Sequence, residues 1–171
     1  MPKIDRKTFE KWQKGEIKLA TLFGVESKQL AGLLMTGYNL FAEGHLEEAR
    51  TIFEGITILD DKNAYSYSIL GAIYQKQEQY DLAVARYNQA LALYPDDVSA
   101  LTNRGEIYLK QGKFEEAAAD LKKAISLDPS KEHPSANRAR LLVALTTEAL
   151  KTAKEKGIEA VLQPPKPASN K

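Results

Sequence analysis

His45 and His133 are the only imidazoles in the chain, and Glu47-Glu48, Asp60-Asp61, Asp96-Asp97 and Glu115-Glu116 are its only adjacent carboxylates. A metal site needs such groups at ligand spacing. Acid–base catalysis needs two of them held across a substrate. Neither pattern is present. The histidines fall in an expected turn and an expected loop, without a second His or a ligand-spaced carboxylate beside them. The acidic pairs recur at expected helix starts and inter-unit turns, where the helix dipole favours negative charge. Cysteine is absent, so there is no thiol nucleophile, no Cys zinc site and no disulfide framework. No phosphate-cradling or nucleophile-elbow motif occurs. The sequence therefore predicts a protein that is not an enzyme, takes no cofactor or metal, and works by binding.

The informative residues are those that recur. Gly37, Gly71 and Gly105 are 34 residues apart, and so are Ala49, Ala83 and Ala117. Phe53, Tyr87 and Leu121 keep the same step, as do Ile56, Ala90 and Ala124, and Pro95 and Pro129. A fixed period in this range marks stacked supersecondary units. Each unit is expected to be two antiparallel helices, with Gly and Ala where they cross, because a larger side chain would push the axes apart. Turns are expected at Glu43-Gly44-His45, Glu78-Gln79 and Gln111-Gly112-Lys113. The period and the run Leu70-Gly71-x-x-Tyr74, Ala83, Tyr87, Pro95 resemble the tetratricopeptide repeat. The expected fold is all-α, a tetratricopeptide-repeat solenoid of three helix-turn-helix repeats with an N-terminal helix and a C-terminal capping helix. One unit cannot bury its own face, so stacking is obligatory.

The expected organisation is an N-terminal helical segment at 1–29, repeats at 30–63, 64–97 and 98–131, a capping helix at 132–160 and a disordered Pro-rich tail at 161–171. Pro134 suits a first-turn position. Leu141, Leu142, Leu145 and Leu150 are expected to supply the cap's apolar side. Residues 1–20 carry six basic and three acidic side chains, with Phe9 and Trp12 one helical step apart. Three roles stay open for this segment: a cap on the first repeat, a self-association arm, or a membrane-surface helix.

Lys and Arg number 24 against 23 Asp and Glu, a net charge of +1. That balance excludes a strongly basic nucleic-acid binder. No stretch approaches the ~20 apolar residues of a spanning helix, and no secretory leader is visible. The expectation is a cytoplasmic protein without nucleic-acid partners or stable membrane insertion.

The tetratricopeptide resemblance implies a concave face lined by the first helix of each repeat, through its positions 2, 5, 9 and 12. In the first repeat these are Ala31, Leu34, Tyr38 and Phe41; in the second, Tyr65, Ser68, Ala72 and Gln75; in the third, Ser99, Thr102, Glu106 and Leu109. The candidate peptide-binding residues are therefore Leu34, Tyr38, Phe41, Tyr65, Ser68, Ala72, Gln75, Thr102, Glu106 and Leu109. Repeats that clamp a C-terminal carboxylate do so with Lys, Asn and Arg on this face. The matching places here, Leu34, Tyr38, Ile69, Ser99 and Asn103, lack the basic residues. An extended, mainly apolar segment fits better, with aromatic anchors. The competing expectation is that Leu34, Tyr38 and Phe41 are simply buried under the N-terminal segment.

The stretch from Leu40 to Leu93 resembles the class II chaperones of bacterial type III secretion. The likeness rests on Gly44, Glu48, Ala49, Phe53 and Leu59-Asp60, then on Gly71, Tyr74, Gln75, Gln79, Tyr80 and Ala83. It extends over residues 20–160. The resemblance implies a chaperone that holds a hydrophobic translocator subunit before export, with a partner segment in the concave groove. It also implies a homodimer formed through the N-terminal helix or the first repeat. The alternative is a tetratricopeptide adaptor or scaffold in another bacterial assembly, serving motility, the envelope or signalling.

Overall fold

The computed structural model describes residues 4–156. Among them every regular element is a helix. Helices α1 (Arg6–Gln13) and α2 (Leu19–Leu22) precede three hairpins. The hairpins pair α3 (Ser27–Glu43) with α4 (Leu46–Leu59), α5 (Ala64–Lys76) with α6 (Tyr80–Leu93), and α7 (Val98–Lys110) with α8 (Phe114–Ser126). A long helix, α9 (Pro134–Lys156), follows. The tail assigned to 161–171 lies outside the described residues, as do the last residues of the segment assigned to the cap.

Local chemistry sets the helix ends. The side chains of Asn63 and Asp97 accept from the backbone N–H of Ser66 and Ala100, each at 2.9 Å, and so cap α5 and α7. Glu26 and Gln29 form a reciprocal capping box on α3. The hairpin turns need a left-handed residue. Gly44 (φ 89°) and Gly112 (φ 72°) supply it in the first and third hairpins, and Glu78 (φ 59°) in the second.

Each hairpin closes on its recurring small residues. Ala49, Ala83 and Ala117 are fully buried. A Cβ added to Gly37 would meet Ile52 and Phe53 at 3.0 Å, and one added to Gly105 would meet Leu121 at 2.9 Å. The hairpins then stack, the first helix of each on the second helix of the one before: α5 on α4, α7 on α6 and α9 on α8. Two apolar clusters result. One joins Ala49, Phe53 and Ile56 to Leu70 and Ile73. The other runs from Tyr74 and Tyr87 through Leu101, Ile107 and Leu121 to Ala139.

Helix α9 continues the period into a fourth first-helix position. Ala139 stands 34 residues after Gly105 and Ala136 stands 34 after Thr102; both are fully buried. This corrects the expected seam of the cap. Leu142 does pack on the core, but Leu141, Leu145 and Leu150 are exposed. Small residues form the contact because α9 must approach α7 and α8 as closely as the glycine column allows elsewhere.

Both ends are pinned by the same device. Asp60 and Asp128 are buried carboxylates 68 residues apart, two periods of the repeat, each at the end of a second helix. Lys18 Nζ donates to Asp60 Oδ2 at 2.6 Å, holding α2 against α4, where Ala20 and Leu22 are buried. Arg140 Nη1 donates to Asp128 Oδ2 at 3.0 Å, holding α9. Between them, Arg104 makes a two-pronged contact with Asp120, both bonds at 2.7 Å. Helix α1 packs on α2, and Trp12 shares a surface cavity with Ile58, Asp61 and Lys62 at the end of the first hairpin.

The concave face as a candidate binding site

The first helices α3, α5, α7 and the incoming α9 place the ten candidate residues in two unlike halves. At the N-terminal half, Tyr38 is 48% and Tyr65 45% exposed. Their rings are neighbours of two others: Tyr38 lies 6.5 Å from Phe41, and Tyr65 sets its edge 6.2 Å from the buried Phe53. Burial pushes the Tyr65 phenol above its ordinary pKa, and the nearby Tyr38 adds to that. Leu34 and Phe41 are half-buried against the first cluster. The Lys76 ammonium stands 5.3 Å over the Phe41 ring. Neither α1 nor α2 contacts α3. The N-terminal segment therefore does not cover this aromatic patch, and the burial expected of Tyr38 as the alternative reading does not occur.

The other half is polar. Ala72 and Gln75 are half-buried, and the Gln75 carbonyl accepts the Tyr87 hydroxyl at 2.9 Å. Burial pushes the Tyr87 phenol well above its ordinary pKa, while its hydrogen bond with Asn103 acts the other way. Glu106 lies between two cations, Lys110 and Arg138, each at 3.6 Å. Arg138 also donates to Asn103. Leu109 is half-buried against the second cluster.

Two candidates do not reach the surface. Ser68 is covered. Thr102 is fully buried and its hydroxyl donates to the Ser135 carbonyl at 3.1 Å. Thr102 thus supports α9 and has no donor left for a peptide. The reason is that position 5 of each first helix faces the neighbouring first helix, and α9 occupies that place for α7. Sequence reasoning missed Arg138, which enters the face from α9. Carrying the 34-residue register past Gly105 to Ala139 places Arg138 next to that column.

Among the described residues, no group of three or more His, Asp or Glu side chains is placed to hold a metal. No described helix is long and apolar enough to cross a membrane.

The tetratricopeptide repeat family profile matches residues 70–144. The fold is a helical solenoid of the tetratricopeptide-repeat kind. It resembles the translocator chaperones of type III secretion. Low calcium response locus protein H of Yersinia pestis is 32% identical over 79 residues, 46% of this chain and 47% of that protein. The match thus spans about half the length of that curated relative. A type III secretion complex from Aeromonas hydrophila is similar in structure at 26% identity, with a TM-score of 0.73, over 88% of this chain and 99% of the other. The Yersinia enterocolitica chaperone SycD, solved with a peptide of the translocator YopD, is 27% identical with a TM-score of 0.65. That likeness covers 77% of this chain and 98% of SycD.

Proposed function

We propose that this protein is a tetratricopeptide-repeat chaperone that binds an extended, apolar segment of an exported, translocator-like partner on its concave face. Its work is binding, without turnover. Leu34, Tyr38, Phe41 and Tyr65 form the apolar wall, and Ala72 and Gln75 begin the polar half beside it. The observation that carries this reading is the pair Tyr38 and Tyr65. Two large aromatic side chains stand half-exposed and adjacent on a concave face, uncovered by any other described element. Such a patch is the usual form of a recognition surface. The likeness to SycD with its YopD peptide supports the same assignment.

The free face of α1 supports a second contact, with another copy of the chain. Ile4, Phe9 and Trp12 are all exposed at this end.

The test is Tyr65→Glu, assayed for capture of secreted proteins with long apolar segments from the native cell. Tyr65 is half-exposed, so the variant should melt like the wild type. Loss of such a partner from a well-folded variant establishes the groove. Recovery of soluble assembly components, untouched by the change, would establish an adaptor instead.

A further inference from the structure

The polar half of the concave face has a charge imbalance that the apolar wall does not explain. Lys110 and Arg138 stand on it against one carboxylate among the described residues, Glu106. Glu106 does not satisfy its two neighbours. Both ion pairs are 3.6 Å long, beyond hydrogen-bond length. The Lys110 and Arg138 side chains are 48% and 47% exposed. Lys110 further rests 5.3 Å from the Tyr80 ring. Arg138 donates to Asn103 through Nη2, and its remaining N–H groups can receive a carboxylate.

We propose that the segment held on this face carries an acidic residue beyond its apolar anchors, and that Arg138, with Lys110, receives that carboxylate. This rests on the groove reading above and deepens it from an apolar segment to an apolar segment with a carboxylate at a set distance. The distance follows from the stack. Helix axes packed at about 8–10 Å put α7 roughly 16–20 Å from α3. An extended chain advancing about 3.3 Å per residue covers that span in about five or six residues. The carboxylate therefore lies about five or six positions from the side chain seated at Tyr38. Arg138 is then a specificity-determining residue: it selects among apolar segments by charge and adds little apolar area itself.

The experiment is fluorescence anisotropy with labelled synthetic peptides of about twelve residues, enough to span the face. All share Val and Leu at alternate positions at one end. They differ only in carrying Asp, Asn or Lys about five or six residues further on. The Asp peptide should bind about tenfold more tightly than the Lys peptide, with the gap narrowing as salt is added. Arg138→Gln should bring the Asp peptide to the level of the Asn peptide and leave the Asn peptide unchanged. Circular dichroism checks that the variant is folded. Equal binding of all three peptides, still weakened by Tyr38→Ala, overturns the acidic-residue proposal and leaves the groove intact. Failure of every peptide to bind, or binding indifferent to Tyr38→Ala, overturns both.

Discussion

Gly71 lies against the ring of Tyr87 so closely that an added Cβ would stand 2.6 Å from Cε1. The ring cannot retreat, because Tyr87 is fully buried and its hydroxyl is tied to Gln75. Gly71→Leu should therefore overfill the α5–α6 crossing and cost about 1–3 kcal/mol or more. Gly32 is the control. It sits within α3, and an added Cβ there meets nothing within 4 Å. Gly32→Ala should gain up to about 1 kcal/mol from helix propensity alone. Urea denaturation of the two variants beside the wild type measures both signs. A wild-type midpoint for Gly71→Leu would show that the crossing is not as tight as described.

Glu78 occupies the left-handed turn position that glycine fills in the other two hairpins. A side chain there costs roughly 1–2 kcal/mol relative to right-handed backbone. Glu78→Gly should relieve that strain, less the extra entropy that glycine gives the unfolded chain. The expected net gain is about 0.5–1 kcal/mol in thermal or urea unfolding. A loss of stability would mean that Glu78 makes a compensating contact.

The hairpins were legible because they rest on volume. Gly37, Gly71 and Gly105 with the paired alanines mark the crossings directly, and periodic small residues survive in sequence even where the large ones drift between Phe, Tyr and Leu. The aromatic wall was legible for the same reason: Tyr38, Phe41 and Tyr65 fall at fixed positions of a repeating unit. What escaped depends on long-range placement. Thr102 reads as a surface hydroxyl until Ser135 is known to lie over it. Arg138 reads as one more charge on a wet helix face until Ala139 is seen to continue the glycine column. The Lys18–Asp60 pair joins groups 42 residues apart, and no local pattern announces it. The leucines of α9 do not mark its packed face, because closeness of approach, not hydrophobicity, selects the alanines there.

Asp128 gives the fold a dependence on acid. Burial pushes its carboxyl up, but the hydrogen bond from Arg140, the backbone N–H groups of Glu132 and His133, and the Ser130 hydroxyl together hold it below its ordinary 3.8. A carboxylate with a depressed folded pKa stabilises the fold above its unfolded pKa, and that contribution is lost as pH falls through the folded value. Asp128→Asn should therefore be less stable than the wild type near neutral pH, and the difference should shrink as the pH drops below about 4. Urea unfolding across that range measures it. A difference independent of pH would assign the effect of Asn to geometry instead of charge.

Trp12 is the chain's single tryptophan, so its emission reports on α1 alone. Its ring stacks obliquely on Phe9 at 5.5 Å, and the helix itself packs on α2. Helices as short as these eight residues are marginal in water unless an apolar face is covered. A second copy of the chain covers it most simply, since closed two-fold pairing brings the same face of each partner together. Dilution followed by sedimentation should then reveal a dimer–monomer transition across which Trp12 emission shifts to longer wavelength. Trp12→Ala should move the transition to higher protein concentration while leaving the helical signal of the stack in place. Constant emission across a transition that sedimentation does detect would put the self-contact elsewhere, on the first hairpin.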